Sequence, residues 1–126
     1  MTGHNGEVFA VDISDDDLVV FSGGRDNTVR LWDFQTGILQ LTMEGHTDIV
    51  NAVRAAPDGK MVCSGSDDTT VRLWDASTGV ELNCFSGHTE RVSAVDMTLD
   101  GSVIVSAGSW DKTVRVWNVA SGECTR

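Results

Sequence analysis

The sequence predicts an all-β protein built from three copies of one four-stranded unit. Three observations carry that prediction: a recurring string, a fixed spacing, and short apolar runs separated by turn residues. The string SGSDDTTVRLWD at residues 64–75 recurs as SGGRDNTVRLWD at 22–33, identical at nine of twelve positions. It recurs again as AGSWDKTVRVWN at 107–118, identical at seven. Gly-His pairs stand at Gly3-His4, Gly45-His46 and Gly87-His88, 42 residues apart each time, and hold the only three histidines. Trp32, Trp74 and Trp117 follow at spacings of 42 and 43, as do Asp26, Asp68 and Asp111. A fixed period in this range marks a repeat architecture, in which no unit buries its faces alone.

The second unit shows each element in order. Val50-Asn51-Ala52-Val53 reads as a first strand, closed by the turn Pro57-Asp58-Gly59. Met61-Val62-Cys63-Ser64-Gly65 reads as a second strand. The tight turn Asp67-Asp68-Thr69 leads into the β-branched and aromatic run Thr70-Val71-Arg72-Leu73-Trp74. The turn Asp75-Ala76-Ser77-Thr78-Gly79 then precedes a fourth strand, Val80 to Phe85. Short strands bounded by Gly, Asp and Ser at this spacing belong to all-β proteins, and no stretch keeps a helical period. The single proline lies in a turn, where its missing N–H costs nothing.

Charge and composition narrow the function. With 19 carboxylates against nine Lys and Arg, the net charge is −10. That argues against nucleic acid and against an anionic membrane surface as partners. No apolar run is long enough to span a bilayer. The segment MTGHNGEVFAV has neither the charged nor the apolar region of a signal peptide, so the expectation is a cytoplasmic chain unless a targeting segment lies outside these residues. Cys63, Cys84 and Cys124 form no CxxC pair. They read as buried small hydrophobes in a reducing compartment, with no metal and no cofactor implied.

The Gly-His pairs, the Asp-x-Thr turns and the closing Trp32-Asp33, Trp74-Asp75 and Trp117-Asn118 resemble the WD40 repeat family over essentially the whole chain. The resemblance implies β-propeller blades of four antiparallel strands, at about 3–43, 45–85 and 87–126, arranged around a central channel. The strand after Gly-His would be innermost. It also implies a hydrogen-bonded tetrad in each blade: His4, Ser22, Asp26 and Trp32; His46, Ser64, Asp68 and Trp74; and His88, Asp111 and Trp117 in the third. A buried imidazole has two ring nitrogens to satisfy, and Ser can bridge it to an indole that only donates.

The third unit departs from the pattern. Counting back from Asp111 puts Ala107 at the serine position, with Ser106 one place early. Either a β-bulge restores Ser106 or the tetrad is incomplete. A hydrolase triad of Ser, His and Asp is the sharper alternative to a structural tetrad. It lacks a nucleophile-elbow motif and leaves the tryptophan without a role. The run Asp15-Asp16-Asp17 lacks the alternating ligands of a calcium loop and reads as a solvated turn. Asp33, Asp75 and Asn118 share the side-chain oxygen of an Asx-turn. Arg30, Arg72 and Arg115 share a strand face with the tryptophans, which points to cation–π or carboxylate contacts.

Shared residues serve the fold, so function is sought in what varies between units. In the WD40 family, partner contacts gather at one end of the propeller, at the start of the innermost strand and just before the turn Asp. The matching positions are Glu7, Phe9 and Arg25; Ile49, Asn51 and Asp67; and Arg91, Ser93 and Trp110. Phe9, Ile49 and Trp110 have the character of interface anchors, although Phe9 and Ile49 would equally suit packing within the strand. The resemblance implies a non-catalytic scaffold for a protein or peptide partner. The alternative is a self-association module, or part of a longer propeller, with no dedicated partner.

Three blades cannot close a ring, because each end blade would leave an apolar face in water. From Gly122 to Gly3 of a following chain is seven steps, against eight from Gly79 to Gly87. Head-to-tail closure into a homo-oligomer is therefore expected, with a six-bladed dimer ahead of a nine-bladed trimer.

Overall fold

The computed structural model describes residues 1–126 as eleven β-strands without a helix. The first sheet runs β1 (Val8–Ile13), β2 (Val19–Gly24), β3 (Val29–Asp33) and β4 (Leu39–Met43) in that order. The second repeats it with β5 (Val50–Ala55), β6 (Met61–Ser66), β7 (Thr70–Asp75) and β8 (Glu81–Ser86). The third holds β9 (Val92–Met97), β10 (Val103–Gly108) and β11 (Val114–Asn118). All pairings are antiparallel.

The expectation of four strands per unit fails in the third. Only an isolated bridge, Trp117 to Cys124, stands where β4 and β8 stand in the other sheets. The backbone bonds Thr125 N–H to Val116 O (2.7 Å) and Val116 N–H to Arg126 O (2.8 Å) begin a fourth strand. Too few residues lie alongside β11 to make a ladder.

Turn chemistry explains where the strands stop. Asp33 accepts from the backbone and side chain of Thr36, both at 2.7 Å, and Asp75 accepts from the backbone of Ser77 at 2.7 Å. Asn118 accepts from Ser121 N–H at 2.8 Å with the same oxygen, so Asp and Asn are interchangeable at this turn. In each Asp-x-Thr turn the middle residue is left-handed: Asn27 (φ 65°), Thr69 (φ 74°) and Lys112 (φ 59°). In the acidic run, Asp16 closes a turn by accepting from Ser14 Oγ at 2.5 Å and Leu18 N–H at 3.1 Å.

Two apolar clusters lie between the sheets rather than within them. Phe21, Val29, Leu31, Met43, Val50 and Trp74 join the first sheet to the second. Val71, Leu73, Phe85, Val92, Ile104 and Trp117 join the second to the third. Both joints share a close approach at the same repeat position. A Cβ on Gly23 would stand 2.5 Å from Val50 Cγ1, and one on Gly65 would stand 2.6 Å from Val92 Cγ1. Bare backbone at these points lets the next blade's innermost strand settle onto the sheet. The outer faces have no such cover: Val8, Val11 and Ile13 of β1 are exposed, as is Val114 of β11. Cys63 is buried, and desolvation pushes its thiol up to about 12. Cys84 and Cys124, expected inside, are exposed instead. On β8, Phe85 turns inward, so its neighbour Cys84 must face out.

Candidate functional site

Each innermost strand carries a bulge at the same place. Register slips between Val8 and Ala10 opposite β2, and between Val50 and Ala52 opposite β6. Opposite β10 it slips between Val92 and Ala94. The surplus residues are Phe9, Asn51 and Ser93. A bulge re-aims its side chain out of the ladder, and Phe9 is accordingly half exposed. Asn51 Nδ2 donates to Asp67 (2.5 Å) and across the joint to Val92 O (3.1 Å). Ser93 Oγ donates to Ala107 O at 3.1 Å.

The three His–Asp–Ser–Trp groups are brought together with one geometry. His46 Nδ1 lies 2.7 Å from Asp68, His46 Nε2 lies 2.7 Å from Ser64 Oγ, and Trp74 Nε1–H donates to the same Oγ at 2.8 Å. The first group, His4, Asp26, Ser22 and Trp32, spans 2.7–3.0 Å. In the third, His88 reaches Asp111 at 2.6 Å and Ser106 at 2.8 Å, and Trp117 donates to Ser106 at 2.8 Å. Proton count assigns the tautomer. Indole N–H donates to the hydroxyl, the hydroxyl donates to Nε2, and Nδ1–H donates to the carboxylate, which satisfies every group.

Thr28, Thr70 and Thr113 complete each network, a role that the repeated Asp-x-Thr spacing could have signalled. Thr70 donates to Asp68 from its hydroxyl at 2.7 Å and its backbone N–H at 2.9 Å. Burial pushes the Asp68 carboxyl up, but hydrogen bonds from His46 and Thr70 outweigh it and hold the group well below the usual carboxylate range. Asp26 and Asp111 are lowered in the same way against their own desolvation. The arginines divide: Arg30 pairs with Asp26 at 3.1 Å and Arg72 with Glu81 at 2.6 Å, while Arg115 lies over the Trp117 ring at 6.0 Å.

The order Ser–His–Asp is that of a hydrolase triad, but the serines are sealed. Ser64 is wholly buried, and Ser22 and Ser106 nearly so. Each hydroxyl already accepts an indole N–H at 2.8 Å and has no exposed face for a substrate to reach.

The third group needs no bulge in β10. Ser106 pairs with Val95 and Arg115, as Ser64 pairs with Val53 and Arg72. Ala107 takes the place of Gly23 and Gly65. The surplus residue falls in the next turn. Ser109 N–H bonds to Arg91 O, as Arg25 bonds to Glu7 O and Asp67 to Ile49 O. Trp110 is therefore an added residue, not the counterpart of Arg25 and Asp67. The lengthened turn folds Asp111 back over Gly108 so closely that any Cβ there would overlap its carboxylate.

Trp110 is 70% exposed, with the Arg91 guanidinium 5.5 Å from its ring centre. Asp48, Asp67, Glu90 and Thr69 line a recess of about 290 Å³ with them. The structure thus gathers Asp67, Arg91 and Trp110, with Asn51 bonded to Asp67. Glu7 and Arg25 form a separate exposed ion pair at 2.6 Å on the first blade, near Phe9. Ile49 is half-buried and serves the ladder through its carbonyl. Asp48 and Glu90 escaped the sequence reading. Their signal is a carboxylate two residues after Gly-His in both later units.

These features define a class: a tandem array of repeated β-blades, each clasped by a buried polar network. The WD40 family model, described as WD domain, G-beta repeat, matches residues 1–33, 37–75 and 79–118, and the chain belongs to that family. A segment of 42 residues is 48% identical to eukaryotic translation initiation factor 3 subunit I of Phaeosphaeria nodorum. That match covers 33% of this chain and 13% of the relative. The subunit I of Botryotinia fuckeliana is 49% identical over 35 residues, 28% of this chain and 10% of the relative. That of Neurospora crassa is 38% identical over 42 residues, 33% and 12%. The matched segments thus span about an eighth or less of these relatives.

Proposed function

We propose that the chain is a non-catalytic interaction scaffold that holds a protein or peptide segment at the end of the blades where Trp110 stands. The observation that carries this is the added Trp110, exposed beside Asp48, Asp67 and Glu90. Three carboxylates and an open indole face favour a cationic side chain, and Arg91 already uses the ring in that way. The similar subunit I proteins are named as parts of a larger factor, which supports an assembly role for this chain and a cytoplasmic setting. The net charge of −10 favours a basic protein partner over nucleic acid or membrane. No helix is long and apolar enough to cross a membrane.

Head-to-tail self-association belongs to the same reading. The exposed Val8 and Val11 of the first blade are the repeat equivalents of Val50 and Val53, which fill the internal joint. Two chains would give six blades and three would give nine, the dimer being favoured by the commonness of twofold closure.

The partner site is tested by titrating a Lys/Arg-rich peptide and a Glu-rich control while following tryptophan fluorescence. The other three indoles are buried, so Trp110 dominates the fluorescence change of the wild type, and binding by a variant that lacks it is read by titration calorimetry instead. The basic peptide should bind, and Trp110→Ala should weaken it about tenfold or more. Unchanged binding by Trp110→Ala would place the partner elsewhere.

A further inference from the structure

The internal joints show what a joint between copies would contain. At the first, Asp12 Oδ2 accepts from Ala55 N–H at 2.8 Å, across from β1 to β5. Arg54 then stands between two carboxylates, with Nη1 3.8 Å from Asp12 and Nε 3.1 Å from Asp96. Asp12, Arg54 and Asp96 occupy one repeat position on successive innermost strands, so charge alternates along the chain. The thiol of Cys63 feels the charges of all three, and Asp15 lines the same recess as Asp12 and Arg54.

A following copy breaks the alternation. By repeat equivalence Asp96 would accept from Ile13 N–H of that copy, as Asp12 does from Ala55. It would also face that copy's Asp12, where Arg54 stands inside the chain. The apolar contact changes too. Val8 and Val11 of the next copy would meet the Ala107 methyl, where Gly23 and Gly65 offer bare backbone.

Resting on the head-to-tail reading, we infer that the joint between copies is reversible by construction, held back by facing carboxylates, Asp96 of one chain and Asp12 of the next, and by the Ala107 methyl. Each feature departs from the internal joints, and both departures weaken docking. Like charges set opposite each other at an interface oppose association. They do so less as salt screens them.

Sedimentation equilibrium of the whole chain tests this at about 50 mM and about 500 mM NaCl. Asp96 is exposed, and Asn keeps the acceptor while removing the charge. Asp96→Asn should therefore tighten self-association about tenfold per joint at low salt and lose most of the strengthening by salt seen in the wild type. Ala107→Gly should tighten it at both salt concentrations. Equal affinity and equal salt response in wild type and Asp96→Asn would overturn the inference and leave self-association standing. If the wild type and both variants all remain monomeric at about 100 μM, self-association itself falls, and the inference with it.

Discussion

Ser64→Ala is expected to lower stability by about 3 kcal/mol, a large part of what a domain of this size has. One hydroxyl serves two buried partners: it accepts from Trp74 Nε1–H and lies 2.7 Å from His46 Nε2. Alanine leaves both without a partner in a place that water does not reach. Each orphaned group costs about 1–3 kcal/mol. The loss also unhooks three chain segments, because the network ties the loop before β5 to β6 and β7. Urea denaturation should show a lower midpoint with an unchanged slope. A midpoint equal to wild type would mean that the network contributes nothing to holding the blade.

Gly65→Leu is expected to be comparably damaging, by the opposite mechanism. Even a Cβ would stand 2.6 Å from Val92 Cγ1 and 3.0 Å from Val95 Cγ1, and leucine adds three further carbons. Overpacking of this kind costs about 1–3 kcal/mol, and more where backbone must move. The expected readout is a change in cooperativity. The third blade should melt separately from the first two, because repeat proteins are held together by nearest-neighbour joints. Ala107→Leu is the control at the same repeat position. Its face is uncovered in the single chain, so it should leave monomer stability within about 0.5 kcal/mol while blocking the proposed head-to-tail self-association.

The contrast between Gly65 and Ala107 shows where the sequence was legible and where it was not. The blades were readable because the residues that clasp them recur at fixed spacing, and each has one geometry that satisfies it. His46 and Trp74 cannot be buried without Ser64, so the string itself carries the network. The third unit was misread by one place because counting from Asp111 assumes that the turn has constant length. Only the backbone ladder shows that β10 keeps its register and that the turn takes the extra residue. Trp110 therefore lies in an added step rather than in a shared position. The recess around it was half visible: Asp67 and Arg91 are repeat positions that vary and Trp110 is the added residue just before the turn Asp, whereas Asp48 and Glu90 join them only through the stacking of one blade on the next. The fourth strand of the last blade was predicted from the repeat alone, and a pattern cannot tell a single bridge from a strand.

Three tryptophans are locked into buried networks while the fourth stands free. An indole N–H exchange measurement by NMR tests it most directly. Trp32, Trp74 and Trp117 should give three slowly exchanging indole protons, each lost or accelerated in turn by alanine at Ser22, Ser64 or Ser106. Trp110 should exchange as a solvated indole. Four signals with similar exchange rates, or a protected Trp110, would contradict the account.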